Sequence, residues 1–285
     1  WGLFKKIVIA DNCAEYANII FNNAADYSGS SLVLGALFYT VQIYADFSGY
    51  SDIAIGVSRL LGFDIIRNFN NPYFSINVAD FWRRWHIALS SWFRDYLFTP
   101  LSIKIRSWGT TGVVFSFFVT FLLCGLWHGA NYTFIVWGGL HGLALGWDVF
   151  SFRTRKKVKR KMNPGLYNFF SWCITIVFIV FTWIFFRAEN LHQAINYVSG
   201  IFSNSLFSIP YIIEEETGLP ILPKLFILLL CGFIIVEWIG RKQQHILAYI
   251  DLKWKKLPRY ALYYAMILLI LWYGGKEQQF IYFQF

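Results

Sequence analysis

Long apolar segments dominate this chain and limit it to folds that a lipid bilayer can solvate. They lie at about residues 32–57, 111–127, 131–150, 166–186, 224–240 and 260–274. Most approach the ~20 residues that an α-helix needs to cross a bilayer. The chain is 57% hydrophobic and only 14% charged, whereas soluble domains contain about 25% charged residues. The sequence therefore predicts an all-α fold, a polytopic transmembrane helical bundle.

The first predicted span contains polar residues that lipid does not accommodate. Asp46 and Asp52 lie inside it, in the sequence Tyr44-Ala-Asp-Phe-Ser-Gly-Tyr-Ser-Asp. Intramembrane carboxylates normally face a protein interior or a water-filled cavity and pair with opposite charges. We therefore expect both aspartates to point into the bundle and to stabilise it through ion pairs.

Residues 70–104 form neither a clean span nor an ordinary loop. Asn71 and Pro72 interrupt any helix there, and the residues that follow mix tryptophan with arginine, as membrane-interface segments do. Asp80 and Arg84 have the i,i+4 spacing of a helical ion pair. We expect short interfacial or re-entrant helices packed inside a protein cavity. The residues that give this pattern are Trp82, Trp85, Trp92, Arg83, Arg84 and Arg94.

Lysine and arginine are distributed unevenly between the predicted spans. Segments 153–161 and 241–259 are strongly basic, whereas the loop 188–223 has no lysine or arginine. The positive-inside rule places the basic segments in the cytoplasm. The loop, the C-terminal residues 277–285 and the turn 127–131 then face outward. This topology accounts for the net charge of +9 through contact with membrane lipid, without a nucleic acid partner.

Two histidines beside tryptophans, His86 and His128, are the candidates for chemistry. An imidazole titrates near neutral pH, and a position in or beside a membrane span usually has a functional reason. In one interpretation His128 is a general base that deprotonates an acceptor hydroxyl for attack on an activated acyl carbonyl. His86 is then its partner, an orienting donor or an oxyanion stabiliser. The alternatives are an interfacial histidine bonded to a carbonyl, for His128, and part of an amphipathic anchor helix, for His86.

The sequence lacks the motifs of several other chemistries. It has no Walker loop, GxSxG elbow, HExxH sequence or paired-cysteine motif, so neither ATP hydrolysis, a serine nucleophile nor a metal site is predicted. His141, in an apolar glycine-rich segment, is interpreted as a packing residue. Four widely separated cysteines are interpreted as small apolar core residues: Cys13, Cys124, Cys173 and Cys231.

Five motifs resemble the membrane-bound O-acyltransferase family, particularly its alginate O-acetylation branch, to which the teichoic-acid D-alanylation branch is related. The resemblance runs through most of the chain. It implies one membrane-embedded unit over residues 1–285, corresponding to the C-terminal part of a longer protein and lacking several N-terminal helices. The motifs are Asp46-Phe-Ser-Gly-Tyr-Ser-Asp-Ile-Ala-Ile-Gly56, Asn70-Asn-Pro-Tyr73, Asp80-Phe-Trp-Arg-Arg-Trp-His-Ile-Ala-Leu-Ser90, Trp92-Phe-Arg-Asp-Tyr96 and Leu126-Trp-His-Gly-Ala130.

This resemblance implies a fold and a set of site residues. The family fold is a ring of helices around a thinned centre, where a funnel from one face meets a channel from the other. His128 matches the family's catalytic histidine, and His86 matches its second motif histidine. The residues beside them that we expect to bind substrate are Trp127, Asn131, Arg84 and Trp85.

The activity implied by the resemblance is acyl transfer in the bacterial inner (cytoplasmic) membrane. Acetyl-CoA or an acylated carrier protein, neither of them a resident cofactor, presents a thioester from the cytoplasmic side. A hydroxyl of an envelope polysaccharide, or a periplasmic acetyltransferase partner, receives the acyl group, which is most simply acetyl.

Two other functions stay open from the residues. A proton-coupled transporter would use the intramembrane histidines with Asp46 or Asp52 as a relay. A non-catalytic scaffold of a glycan-modifying complex would tolerate the loss of both histidines.

Overall fold

The computed structural model describes residues 1–210, 224–241, 247, 250–274 and 280. Over these ranges the regular elements are helices, which confirms the predicted all-α fold. The α-helices are α1 (Asp11–Asn22), α2 (Gly29–Leu60), α3 (Val78–Trp82), α4 (Ile87–Phe93), α5 (Thr99–Lys104), α6 (Thr110–His128), α7 (Tyr132–Phe150), α8 (Phe152–Lys161), α9 (Pro164–Arg187), α10 (Leu191–Ile201), α11 (Lys224–Gly240), α12 (Ile250–Lys253) and α13 (Lys256–Tyr273). The π-helices are Phe4–Ala10 and Arg94–Phe98, and the 3₁₀-helices are Ala24–Asp26, Pro72–Phe74, Arg106–Trp108 and Asn204–Phe207.

The chain divides into two compact units. Unit 1 comprises Trp1–Arg67 together with Tyr197–Phe285, in its described part, and unit 2 comprises Asn68–Asn196. Both candidate histidines therefore belong to unit 2. The single membrane-embedded unit expected from the sequence stays a prediction.

Each predicted span coincides with a helix to within a few residues. Among the described residues, α2, α6 and α9 are long and apolar enough to cross a membrane. On α6 and α9 large apolar side chains such as Leu126, Ile174 and Val177 are exposed. Apolar surface of this kind is stable against lipid rather than water, as expected for a membrane protein.

The interpretation of the cysteines as core residues is only partly correct. Cys13 and Cys124 are buried and Cys173 is partly exposed, but Cys231 is exposed on α11. The prediction is wrong for Cys231 because an apolar run does not reveal which side of a helix packs inward. A thiol is apolar enough to occupy either side.

Buried charges connect the beginning of unit 1 to α2 and α11. Lys5 Nζ lies 3.0 Å from a carboxylate oxygen of Asp52 and 3.3 Å from one of Glu237. The hydroxyl of Tyr44 donates a hydrogen bond of 2.6 Å to Glu237. Lys5 and Glu237 are each only 3% exposed. Three separate segments therefore meet around one ammonium group. The charged groups on them lose their hydration when buried, and their mutual attraction compensates for that loss.

A second ion-pair group lies next to the first. Lys6 Nζ is 2.7 Å from a carboxylate oxygen of Asp11 and 3.0 Å from one of Asp46. Asp46 is buried on α2. The prediction that Asp46 and Asp52 face the protein and form ion pairs is thus confirmed, and their partners are the two lysines near the beginning of the chain.

Unit 2 is organised around the hairpin of α6 and α7, which glycines allow to pack very closely. A Cβ on Gly125 would collide with the backbone oxygen of Phe134, and one on Gly138 would collide with that of Phe121. The two backbones are therefore in direct contact near the turn of the hairpin. This contact brings the end of α6, which carries His128, against the first half of α7.

The other end of α7 is fastened to the beginning of α3. Asp148 accepts a hydrogen bond of 3.1 Å from the backbone N–H of Ala79. The same carboxylate lies 3.2 Å from a guanidinium nitrogen of Arg155. An acidic side chain placed at a helix N-terminus satisfies an N–H that the helix itself leaves open. Asp148 thereby fixes where the motif around His86 begins.

Between Asn68 and Gly109 the individual elements are short, but α4, the π-helix Arg94–Phe98 and α5 follow one another directly and form one helical stretch over residues 87–104. Asn71 is left-handed (φ 48°), and Pro72 begins a 3₁₀-helix, as expected from the predicted helix break. The predicted pair of Asp80 and Arg84 is present, with a distance of 3.0 Å between Oδ1 and Nε.

We expect Gly138→Ala to destabilise unit 2, because its methyl group would force α6 and α7 apart. Overpacking of this kind costs about 1–3 kcal/mol, occasionally more. The measurement is the melting temperature and folded yield of the detergent-purified full-length protein. Gly139→Ala is the matched control, because its Cβ would lie at an ordinary 3.6 Å from Leu122. Equal melting temperatures for the two variants would contradict the close-packing argument.

We expect Glu237→Gln to destabilise unit 1, because it removes one buried partner of Lys5. Breaking a buried ion pair from one side typically costs about 3–5 kcal/mol. Asp64→Asn is the control, since the Arg59–Asp64 pair is long, at 3.6 Å, and exposed, and such pairs contribute little. Thermal unfolding followed by tryptophan fluorescence compares the variants. A Glu237→Gln protein as stable as the Asp64→Asn protein would show that the network is not needed for folding.

Candidate functional site

His128 is the last residue of α6 and lies in a pocket of aromatic rings. Its imidazole is partly buried. The ring centroids of Trp127 and Phe186 are each 5.0 Å from that of His128, and those of Trp137 and Phe134 are at 5.3 Å and 6.2 Å. Residues of α6, α7 and α9 therefore surround one imidazole with apolar surface.

His86 is held in an unusual backbone conformation between α3 and α4. Its φ of 43° is in the left-handed region, which is strained for a residue with a Cβ. Neighbouring backbone bonds maintain this conformation: Asn70 N–H donates to Arg84 O, and Ile87 N–H donates to Asn68 O, each at 2.9 Å. His86 lies outside the spanning helices, and burial lowers the pKa of its imidazole to about 4. It is therefore neutral at pH 7.

The fold brings the two predicted catalytic histidines together. Although His86 and His128 are some forty residues apart in sequence, they are close enough for their charges to interact. A neutral imidazole can both accept and donate a proton. The pair can therefore bind and deprotonate a hydroxyl between apolar walls.

Trp137 connects this pocket to a third histidine, His141. The Trp137 ring centroid is 4.9 Å from that of His141 and 6.0 Å from that of Trp183. His141 is fully buried, and its Nδ1 accepts a hydrogen bond of 3.1 Å from the indole N–H of Trp82. Neither Trp137 nor Trp183 is among the site residues predicted from the sequence. The i,i+4 spacing of Trp137 and His141 on one glycine-rich helix was the signal that could have indicated Trp137.

Two of the four residues expected to bind substrate flank the turn between α6 and α7, Trp127 in the last turn of α6 and Asn131 just before α7. Trp127 is 56% exposed and packs edge-on against His128. Asn131 caps α7: its side chain accepts from the backbone N–H of Thr133 and donates to the carbonyl oxygen of Glu189, at 2.6 Å. Trp127 is thus available to a ligand, whereas both polar atoms of the Asn131 amide are used to hold the turn.

The other two residues expected to bind substrate lie beside His86. Arg84 forms the ion pair with Asp80 and stays partly exposed. Trp85 is buried, and its ring packs against those of Phe81 and Trp183, at 5.4 Å and 5.0 Å. Trp85 therefore belongs to the core that supports His86. Their roles in binding substrate stay predictions.

A cavity of about 520 Å³ opens beside these motifs in unit 2. Its lining is mostly apolar, with Arg83 and Arg94 contributing exposed guanidinium groups. Trp82 forms part of the wall, and on its other side the Trp82 ring packs 5.7 Å from Trp137. Cys124 also lines the cavity, one helical turn before His128 on α6. The cavity thus lies immediately behind the aromatic pocket.

Several curated bacterial proteins have sequences similar to this chain. A probable alginate O-acetylase, AlgI, of Pseudomonas putida is 43% identical over 202 residues, covering 71% of this chain and 40% of that protein. A peptidoglycan O-acetyltransferase of Helicobacter pylori is 39% identical over 217 residues, covering 76% and 40%. A teichoic acid D-alanyltransferase of Bacillus subtilis is 32% identical over 170 residues, covering 56% and 43%. The chain therefore spans about two fifths of the length of these relatives.

The family comparison covers the part of the chain that contains the site. A match to MBOAT, the membrane-bound O-acyltransferase family, extends over residues 1–188. That range includes His86, His128 and Trp137, and the resemblance found in the sequence motifs is thereby confirmed. The chain belongs to the membrane-bound O-acyltransferase family.

Proposed function

We propose that the protein containing this chain transfers an acyl group, most simply acetyl, from a thioester to a hydroxyl of an envelope polysaccharide. The observation that carries the proposal is the aromatic pocket around His128, which lies close enough to His86 for their charges to interact, within a chain of the acyltransferase family. Relatives named for alginate, peptidoglycan and teichoic acid support an envelope glycan as acceptor.

The proposed reaction needs one base and no net change in the protein. His128 takes the proton of the acceptor hydroxyl while its oxygen attacks the thioester carbonyl carbon. A C–O bond forms, and the carbonyl π electrons move to its oxygen, giving a tetrahedral oxyanion. The C–S bond then breaks as the oxyanion collapses, and the departing thiolate takes the proton from the imidazolium. The products are an ester and a thiol.

His86 is proposed to orient the acceptor hydroxyl by hydrogen bonding, without itself gaining or losing a proton during the reaction. Its pKa of about 4 keeps the imidazole neutral at pH 7. His86 therefore places no second positive charge beside the imidazolium that forms on His128. A neutral partner therefore makes His128 a better base than a protonated one would.

The cavity beside the motifs supports a thioester donor with a long flexible arm. Its apolar lining suits an acyl group and an alkyl thioester chain, while Arg83 and Arg94 supply guanidinium groups of the kind that bind phosphate. Acetyl-CoA has these features, and so does the phosphopantetheine arm of an acylated carrier protein. Neither is a resident cofactor in this proposal.

The proposed setting is the bacterial inner membrane, with the donor on the cytoplasmic side. The basic helix α8 is exposed except at Arg155, which pairs with Asp148, and this exposure suits the cytoplasmic surface under the positive-inside rule. The acceptor, an envelope glycan or a periplasmic acetyltransferase that relays the acyl group, is then on the opposite side. The predicted outward position of residues 277–285 falls, except for residue 280, outside the described residues.

We expect His128→Ala to abolish O-acetylation, and His86→Ala to reduce it strongly, in cells that express the full-length protein at matched membrane levels. The measurement is the O-acetyl content of the envelope glycan by mass spectrometry. His192→Ala is the control, because His192 is exposed and bonds only Asn196 among the contacts described. Normal acetylation in both His128→Ala and His86→Ala cells would contradict the proposal and favour a scaffold or a transporter.

We expect α8 and the turn after His128 to lie on opposite sides of the membrane. In a cysteine-free full-length protein, a membrane-impermeant thiol reagent should label Ala130→Cys in intact spheroplasts. Lys156→Cys should be labelled only in inverted vesicles. The two single-cysteine proteins are controls for each other, and labelling of both from the same side would overturn the proposed orientation.

A further inference from the structure

Three ring N–H groups in unit 2 are buried without a hydrogen-bond acceptor among the described residues. They belong to Trp137, Trp183 and His141, which are 1%, 1% and 0% exposed. Buried donors are nearly always satisfied in folded proteins. Three such donors on rings that pack together therefore call for acceptor atoms from outside the described side chains, such as an oxygen of a bound molecule.

The tautomer of His141 follows from its contact with Trp82. An indole N–H only donates, so Nδ1 of His141 must accept the bond of 3.1 Å from Trp82. A neutral imidazole that accepts at Nδ1 carries its proton on Nε2. The nitrogen left without a partner is thus a donor, like the two indoles, and the cluster calls for acceptors alone.

Trp137 is the member of this cluster that contacts the proposed base. Its ring is 5.3 Å from that of His128, centroid to centroid, and nearly perpendicular to it. On its other side it packs against Trp82, which lines the cavity. Trp137 therefore lies between the cavity proposed for the donor and the histidine proposed to activate the acceptor.

We propose that the indole N–H of Trp137 is a catalytic hydrogen-bond donor to the carbonyl oxygen of the thioester. This inference rests on the proposed acyl transfer and adds the group that receives its developing charge. As the acceptor oxygen attacks, the carbonyl oxygen becomes an oxyanion, and a donor already fixed by packing stabilises it without reorganisation.

The fixed position of Trp137 suits this role. Its neighbour Gly138 contacts the backbone of α6, and its ring is enclosed by His128, Trp183 and Phe186. A side chain packed on so many sides does not need to be ordered when substrate binds. The N–H group is therefore held in place before the charge appears, as electrostatic stabilisation requires.

The test replaces the N–H of Trp137 while keeping an aromatic ring. Trp137→Phe removes the donor, but its smaller ring also leaves an empty volume in the cluster. A second protein therefore carries benzothienylalanine at position 137, which keeps the shape of the indole and has sulfur in place of the N–H. Both are made in the full-length protein and assayed in membranes of the producing cells, which contain the native acceptor. CoA release from acetyl-CoA gives kcat and KM per folded molecule.

We expect kcat to fall about 100-fold in the benzothienylalanine protein, the usual effect of losing one oxyanion donor. Inhibition by S-ethyl-CoA, a thioether without a carbonyl oxygen, should stay within about twofold of that in the wild type. This comparison separates the two roles of the ring, because a residue that only packs would affect both ligands or neither. Trp172→Phe is the control, since the Trp172 N–H donates to the carbonyl oxygen of Tyr73; it should change stability but not kcat.

The outcomes separate this inference from the function on which it rests. If wild-type membranes turn over acetyl-CoA, His128→Ala membranes do not, and the benzothienylalanine protein is fully active, the Trp137 inference is overturned and the proposed acyl transfer stands. Equal weakening of acetyl-CoA turnover and S-ethyl-CoA inhibition also overturns it, because Trp137 then only packs. Wild-type membranes that release no CoA above those of His128→Ala overturn acetyl transfer from acetyl-CoA, and this inference with it.

Discussion

The backbone contact between α6 and α7 is the constraint on which the site depends. Gly125 and Gly138 each lie where a side chain would strike the other helix. Without this approach His128, at the end of α6, would not reach Trp137 on α7. In membranes, small residues are the usual way for helices to approach closely, since dispersion forces and not the hydrophobic effect drive their association. The packing and the proposed chemistry thus share the same few glycines.

Unit 1 contains buried charged side chains in largely apolar surroundings, and these charges are stabilised by pairing. Lys5 and Lys6 together form ion pairs with four carboxylates, two of them on α2. The mutual compensation makes a proton relay through Asp46 and Asp52 less favourable than the sequence alone allowed, because moving a proton would leave a buried lysine without its counter-charge. These groups fix helix positions, and the histidines of unit 2 are the better candidates for proton transfer.

Sequence patterns predicted the local features of this fold well. An apolar run of about 20 residues specifies a spanning helix by its length alone, and the i,i+4 rule was enough for the pair of Asp80 and Arg84. The choice of His86 and His128 as candidates was also possible from the sequence, because imidazoles are rare in such surroundings. The proximity of these two histidines was not predictable, since it depends on how the segment 68–109 folds back onto the hairpin.

The features that the sequence did not reveal are those made by contacts between distant segments. In the sequence Trp137 and Trp183 are two of thirteen tryptophans in an aromatic-rich chain, and only the structure shows that their rings pack together and that both N–H groups are buried. Trp85, whose role in binding substrate stays a prediction, is buried because α9 covers it through Trp183. The sequence of a motif does not show whether an aromatic residue in it will face the substrate or the protein core.

The left-handed backbone of His86 has a consequence for how this protein balances folding against activity. An L-residue with a side chain costs about 1–2 kcal/mol more than glycine in that conformation. Glycine would therefore be the easier residue for the turn between α3 and α4, and selection for stability alone would favour it. An imidazole that persists there marks a place where a locally unfavourable choice is retained, and the surrounding bonds of Asn68 and Asn70 compensate for it.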